Sequence, residues 1–136
     1  MNRDQDSGDM CNIFREYMGY HNKYIELYGE RTVVIMQVGS FYESYATDNM
    51  GPDLFELEKI TDVVVTRMRS AAPMSEKNPY MWGFPMVSET TYIGSLTDAN
   101  YRVVVVDQYT TDYGENSRKV TAVHSPGTYI VDINTN

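Results

Sequence analysis

The sequence VVIMQVGSFYE at residues 33–43 joins an apolar, β-branched run to an aromatic side chain and a carboxylate. Its first four residues are all apolar, which is typical of a strand covered on both faces. If the strand continues past the glycine, the two-residue period puts Phe41 and Glu43 on one face and Tyr42 on the other. We therefore predict a buried strand that ends with an exposed phenylalanine beside a carboxylate. The alternative is that Phe41 belongs to the core and Glu43 is a solvated edge charge.

The composition of the chain is typical of one soluble domain. Its 136 residues are enough for a single core. No apolar run approaches the roughly 20 residues needed to cross a bilayer, and the acidic N-terminus does not resemble a signal peptide. The single cysteine, Cys11, excludes an internal disulfide, and His21 and His124 are too few to form a zinc site. A structural metal and Cys/His nucleophilic catalysis are therefore not expected.

Three helices are predicted from the spacing of apolar residues. Aromatic and apolar residues recur every three or four positions from Met10 to Tyr28, and Gly29 suits the end of that helix. The second helix begins after Pro52, and the third begins near Ser88, whose hydroxyl is a candidate cap. The residues predicted to face inward are Leu54, Phe55 and Leu57 in the second helix, and Ile93 and Leu96 in the third.

Further strands are predicted at residues 63–65, 80–84, 103–106 and, more exposed, 118–123. Residues 68–79 contain prolines and polar groups and are predicted to form a mobile loop. Strands alternating with helices indicate an α/β fold, a single domain with a mixed β-sheet of about five to six strands and flanking helices.

The ends of the chain complete this division. We predict a disordered tail at residues 1–9, the domain at 10–128, and the start of a linker to a following domain at 129–136. The linker is expected because the chain stops soon after a strand, without a closing helix.

Two enzyme patterns can be tested against the sequence. No phosphate loop of the form Gly-x-x-x-x-Gly-Lys-Ser/Thr is present. Asp53, Glu56, Glu58 and Lys59 are similar to the acidic pattern of metal-dependent nucleases, but Leu57 occupies the position two before the lysine, where an acid is required. The acids also fall on a predicted helix instead of on converging strands. A nuclease is therefore the less favoured alternative, and no catalytic or metal-binding residue is assigned.

Several short segments follow one another at a characteristic spacing. They are Phe41-Tyr42-Glu43-Ser44-Tyr45, Asp48, residues 60–67, Trp82-Gly83-Phe84-Pro85-Met86, residues 101–108, Arg118-Lys119-Val120 and Ser125-Pro126-Gly127-Thr128. In this order the set resembles the N-terminal mismatch-recognition domain, domain I, of the MutS family of DNA mismatch-repair proteins. The resemblance covers about residues 17–128. Ser40 stands where bacterial members commonly have Asp, and the segment after Phe84 departs from their Pro-Tyr-His, so the form is more similar to viral or organellar branches.

The resemblance implies a role for each half of the Phe-x-Glu motif. Phe41 would be a wedge that stacks on a mispaired or unpaired base in duplex DNA, and Glu43 would hydrogen-bond the same base. The resemblance also implies a full-length protein that is a dimer, with ATP and Mg²⁺ bound by other parts of it and no cofactor in these residues. An intracellular location, where DNA is repaired, and no membrane partner are expected.

The net charge of −8 argues against a general DNA-binding surface, because Lys and Arg supply most non-specific affinity for phosphates. Arg67, Arg69 and Lys77 nevertheless fall in or beside one loop with a single acid, Glu76, and are our further candidates for DNA contacts. A solvated loop with incidental charges is the alternative. The acidic balance also favours a second function, a protein-interaction module that keeps the fold without binding DNA.

Overall fold

The computed structural model describes residues 11–69 and 71–127. Helix α1 spans Asn12–Tyr28, α2 spans Leu54–Thr61 and α3 spans Glu89–Asp98. The strands are β1 (Thr32–Val38), β2 (Phe41–Ala46), β3 (Thr66–Arg67), β4 (Tyr80–Pro85), β5 (Arg102–Thr110) and β6 (Asn116–His124). These elements confirm the predicted α/β class and its single domain. The tail and linker predicted at 1–9 and 129–136 lie outside the described residues.

The six strands form one mixed sheet in the order β3-β4-β2-β1-β5-β6. Strands β1 and β5 are parallel, and the other neighbouring pairs are antiparallel. The two valine-rich strands β1 and β5 lie side by side, and their four central residues are buried in each case, as their unbroken apolar runs predict.

Each face of the sheet has its own core. Helix α1 covers one face, where Phe14, Tyr17 and Met18 pack on Val34 and Met36 of β1 and on neighbouring valines of β5. Helices α2 and α3 cover the other face with residues that include Leu57 and Leu96. The inward positions predicted at Leu54, Leu57, Ile93 and Leu96 are confirmed, whereas Phe55 is 46% exposed.

The expectation that β1 continues through Phe41 is wrong, because the chain reverses at Gly39 and Ser40. Val38 pairs with Phe41 across this two-residue turn. Gly39 has a φ of 63°, and Ser40 has a negative φ. A positive φ at the first central residue alone is the pattern of a type II′ hairpin turn, which favours glycine there. The predicted alternation survives in β2, where Tyr42 is buried and Phe41 is exposed.

The strand predicted at 63–65 is also wrong. Helix α2 ends at Asp62 in a left-handed conformation, with φ of 64°. Side chains then take the backbone donors that a strand would use: Thr61 Oγ1 accepts from Val63 N–H, and Glu58 Oε2 accepts from Val65 N–H. Ladder pairing begins only at Thr66. The valine run is therefore an extended connection.

One further local prediction is wrong, and the segment predicted as a mobile loop has a feature that the sequence did not indicate. Ser88 makes no side-chain capping bond, since Met86–Ser88 form a 3₁₀ turn that runs directly into α3. Asn78 is buried among the described residues of this loop, 68–69 and 71–79. Its Oδ1 accepts from Arg69 N–H at 2.7 Å, and its Nδ2 lies within 3.1 Å of the carbonyl oxygens of Arg69, Ala72 and Pro73. The loop has a polar centre that its prolines and charges did not indicate.

Candidate functional site

Phe41 is presented by the tip of the β1–β2 hairpin. Its backbone pairs with Val38 on β1 and with Pro85 at the end of β4. The Met86 N–H donates to the Ser40 carbonyl at 2.9 Å, which ties the turn to the segment that leaves β4. The Phe41 side chain is nevertheless 42% exposed. Strands β1 and β4 therefore fix the backbone of Phe41 from both sides, while the outer part of its ring reaches solvent.

Glu43 follows Phe41 on the same face of β2, the face that α1 covers, and is half-buried. Its cross-strand neighbours are Met36 on β1 and Gly83 on β4. A Cβ at Gly83 would lie 2.6 Å from the Tyr42 carbonyl oxygen and 3.0 Å from Glu43 Cγ. The absence of a side chain at Gly83 thus provides the space in which Glu43 lies.

Tyr45 is the third residue of this row, and its ring is buried. Its hydroxyl donates a hydrogen bond to Oε1 of Glu43. Burial raises the pKa of Glu43, and the Tyr45 hydrogen bond and the Arg118 charge oppose that rise without cancelling it. Burial, followed by the nearby Glu43 carboxylate, raises the pKa of Tyr45 far above its ordinary value. Tyr45 therefore acts on Glu43 as a neutral hydrogen-bond donor.

Arg118 brings positive charge to the same region from β6. Its Nε donates to the Gln37 carbonyl at 2.9 Å, and its Nη1 binds Oε1 of Glu16 on α1 at 2.7 Å. The Arg118 side chain is only 14% exposed. Three elements, β6, β1 and α1, are thus linked near Glu43 through one guanidinium.

Tyr42 anchors the strand from the opposite face. Its hydroxyl donates to Asp107 Oδ1 at 2.5 Å, and Asp107 Oδ2 accepts from the Thr121 hydroxyl at 2.5 Å. Its ring packs on Phe84, with the ring centroids 5.9 Å apart. The exposed Phe41 is therefore attached to a residue that is fixed in the core and bonded to β5.

Of the predicted basic residues, Arg67 lies away from Phe41. Arg67 pairs with Tyr80, which pairs with Ala46 at the far end of β2 from Phe41. At about 3.4 Å per residue and 4.8 Å per strand, this register corresponds to roughly 20 Å. The register also places Arg67 on the same face of the sheet as Tyr80, whose ring packs against Phe55 of α2. That face is opposite the one that α1 covers. Arg69 is exposed and Lys77 is half-buried in the following loop.

The site thus contains two predicted residues, Phe41 and Glu43, and three that sequence reasoning did not assign. Tyr45 could have been found, because it continues the two-residue period of Phe41 and Glu43. Gly83 and Arg118 reach the site through strand pairing that is remote in sequence. Both residues belong to segments that carry the family resemblance, but the sequence alone predicts no contact between them and Glu43.

The acids of the nuclease-like pattern have structural partners. The Asp53 side chain caps α2 by accepting from Glu56 N–H at 3.2 Å. Glu56 binds Arg31 at 3.1 Å and accepts a hydrogen bond from Tyr101. Within the described residues, no three His, Cys, Asp or Glu side chains are grouped so that they could hold a metal ion. The same part of the chain contains no helix both long and apolar enough to cross a membrane.

Comparisons with known proteins give the family. The family described as MutS domain I matches residues 18–132. A MutS homologue of Acanthamoeba polyphaga mimivirus is 33% identical over 125 residues, covering 89% of this chain and 11% of that protein. The DNA mismatch repair protein MutS 1 of Haloarcula marismortui is 31% identical over 98 residues, covering 72% of this chain and 10% of its own length. MutS of Thermotoga maritima is 29% identical over 104 residues, covering 74% and 12%.

The chain therefore spans about a tenth of the length of these relatives. The mimivirus protein shows that a viral relative exists, in line with the departures from the bacterial pattern. The family match covers most of the chain and contains the hairpin, the site and all six strands. On this match, the chain belongs to the MutS domain I family.

Proposed function

We propose that this chain is the base-recognition module of a MutS-like DNA mismatch-repair protein. Phe41 inserts as a wedge at a mispaired or unpaired base, and Glu43 contacts that base. The observation that carries the proposal is an exposed aromatic ring on a fixed hairpin, with a partly buried carboxylate two residues further along the same face. The family of the chain and the names of its relatives support duplex DNA as the partner.

The wedge selects for weak base pairs through the cost of unstacking. Inserting an apolar side chain between base steps costs a few kcal/mol, and less where the pair is mismatched or unpaired. A wedge on a flexible loop would also lose conformational entropy on insertion. Phe41 avoids much of that loss, since strands flank it on both sides and Tyr42 is fixed in the core.

Glu43 adds discrimination because of its charge. An ionised carboxylate near DNA is repelled by phosphates, unless a base edge offers a donor or the carboxyl takes up a proton. Burial already raises the pKa of Glu43, so its protonated form is more accessible than that of an ordinary surface glutamate. A matched duplex offers no displaced base and therefore meets the repulsion without compensation.

The affinity for the DNA backbone is proposed to come mainly from other parts of a longer protein. The net charge of −8 opposes phosphate binding by this chain alone. Arg67, Arg69 and Lys77 are proposed as secondary phosphate contacts, and the strand register puts Arg67 roughly 20 Å from the wedge. The resemblance to the MutS family is the basis for proposing that ATP and Mg²⁺ bind elsewhere in a dimeric full-length protein, and these residues contain no phosphate loop.

The test compares two substitutions in the full-length protein, with fluorescence anisotropy on matched and single-mismatch duplexes. Glu43→Gln keeps the shape and removes the charge, so binding to matched duplex should rise and the mismatch-to-match affinity ratio should fall. Phe41→Ala should lower binding to mismatched DNA itself. Glu26→Gln removes one charge from an exposed position of α1, and Phe55→Ala truncates a phenylalanine of similar exposure on α2. Both controls should leave the ratio unchanged.

The second candidate is a protein-interaction module without DNA binding, which the charge of −8 favours. It predicts that neither Glu43→Gln nor Phe41→Ala alters DNA affinity or the mismatch-to-match ratio beyond its control. That result would reject the base-recognition function.

A further inference from the structure

The Tyr45 hydroxyl donates a hydrogen bond to Glu43, the residue proposed to contact the base. Two residues after Glu43 on β2, Tyr45 directs its hydroxyl back along the strand to Oε1 of the carboxylate. Only 1% of Tyr45 is exposed, and its ring meets Tyr17 of α1 edge-on, with centroids 5.6 Å apart. The donor therefore comes from a side chain with little freedom to move.

The contact restrains Glu43 from one side while the sheet restrains it from another. Gly83 brings the β4 backbone against Glu43 Cγ. With one hydrogen bond to Tyr45 in place, the Glu43 carboxylate retains further acceptor positions for a base. A carboxylate held in this way loses less rotamer entropy when it forms a new hydrogen bond.

We propose that Tyr45 is a positioning residue, which holds the Glu43 side chain in the orientation required for contact with a displaced base. This inference rests on the proposed function and adds a residue to it. Tyr45 reaches DNA only through Glu43, since its own ring is buried between β2 and α1.

The charged groups near Glu43 make a pH test possible. From β6, Arg118 favours the ionised carboxylate, and from α1, Glu16 is bound to that same arginine. The facing positions on β1 and β4 are Met36 and Gly83, which do not titrate. Removing the Tyr45 hydroxyl should therefore raise the pKa of Glu43, because Arg118 alone would then oppose the effect of burial.

The experiment uses Tyr45→Phe, which keeps the ring, and Tyr17→Phe as the matched control. Tyr17 is buried in the same cluster, but its hydroxyl donates to the Val34 carbonyl at 2.8 Å. The Glu43 carboxyl carbon is titrated by NMR in the 136-residue chain. We expect its pKa to rise in Tyr45→Phe and to stay at the unmodified value in Tyr17→Phe. An unchanged pKa in Tyr45→Phe would overturn the proposal.

The second readout is the mismatch-to-match affinity ratio of the full-length protein as a function of pH. Discrimination should increase as Glu43 ionises, and Tyr45→Phe should move this increase to higher pH. Near the midpoint the ratio should fall by about three- to tenfold, the scale of the net contribution of a typical hydrogen bond. A loss of equal size at every pH would indicate a purely structural role and would also overturn the proposal.

Comparing Tyr45→Phe with Glu43→Gln separates this inference from the proposed function. If Glu43→Gln lowers the ratio but Tyr45→Phe leaves its pH profile unchanged, the positioning role alone is wrong. If Glu43→Gln has no effect either, base recognition by Glu43 is wrong, and the positioning role is rejected with it.

One measurement remains should Tyr45→Phe fail to fold. In the unmodified chain, the buried Tyr45 hydroxyl proton should exchange slowly enough to be observed, and its chemical shift should follow the titration of Glu43. Independence of the two signals would overturn the proposal.

Discussion

Replacing Phe41 with alanine should cost the fold about 1–2 kcal/mol. A phenylalanine buries about 150–250 Å² when it is fully enclosed. Because 42% of Phe41 is exposed, only part of this area is removed from water. Roughly 100 Å² at 25 cal/mol/Å² gives about 2.5 kcal/mol as an upper value. Alanine retains some of that burial, and solvent fills the space at the surface, so the expected loss is smaller.

Phe84 and Phe55 provide the matched comparisons. Phe84 is 1% exposed, and Phe84→Ala should cost about 3–5 kcal/mol because it leaves a cavity in the core. Phe55 is 46% exposed, and Phe55→Ala should cost about as much as Phe41→Ala. The free energy of unfolding is measured by urea titration of the 136-residue chain. DNA binding is measured separately in the full-length protein.

Stability and DNA binding should respond differently to these three substitutions. Phe41→Ala should lower mismatch affinity much more than Phe55→Ala does, although the two have similar stability. If Phe41→Ala destabilised the chain as strongly as Phe84→Ala, Phe41 would be a core residue and could not serve as a wedge. If its stability loss were small but its binding matched that of Phe55→Ala, the ring would be exposed without a role in DNA contact.

Three further outcomes are expected. The 136-residue chain alone should bind matched duplex more weakly than micromolar at physiological salt, and sub-micromolar binding by anisotropy would show that its charge of −8 does not oppose contact with phosphates. Asn78→Asp should lower the free energy of unfolding, measured by urea titration, by about 2–4 kcal/mol, because a carboxylate cannot donate to the loop carbonyls. A loss below about 0.5 kcal/mol would show that the Asn78 hydrogen bonds do not stabilise the loop. Burial lowers the pKa of His21, so the unfolded chain takes up the proton first, and the free energy of unfolding should fall as the pH drops below the ordinary value of 6.5. His21→Phe should flatten this pH dependence between about pH 7.5 and 5.5, and an unaltered slope would mean that another group causes it.

The buried strands could be predicted because their patterns have few alternatives. An unbroken valine run describes β5 well, and its partner β1 has a similar unbroken apolar run, Val33 to Met36. The equally apolar residues 63–65 failed as a strand. Apolar periodicity does not distinguish ladder pairing from an extended segment whose donors are taken by side chains, here those of Thr61 and Glu58.

The site was predictable in part for a similar reason. The alternation of Phe41, Tyr42 and Glu43 is local, and the hairpin preserves it. The hairpin turn itself was not predicted, because Gly-Ser is a less distinctive turn sequence than Asn-Gly. Contacts made by side chains across the sheet depend on register. The approach of Arg118 to Glu43 joins β6 to β2 through two intervening strands, and no spacing rule contains that information.

On the proposed function, the same register explains how an acidic chain can recognise DNA. Phe41 and Glu43 lie at one end of β2 on the α1 face, whereas Arg67 belongs to the far end and the opposite face. Exposed basic residues beside the wedge would favour every duplex alike, because phosphate contacts carry no sequence information. Here a carboxylate lies beside the wedge instead, and it penalises duplexes that present no displaced base. Substitutions at Phe41, Glu43 and Tyr45 should therefore change the mismatch-to-match ratio, while the general affinity for DNA is set elsewhere in the protein.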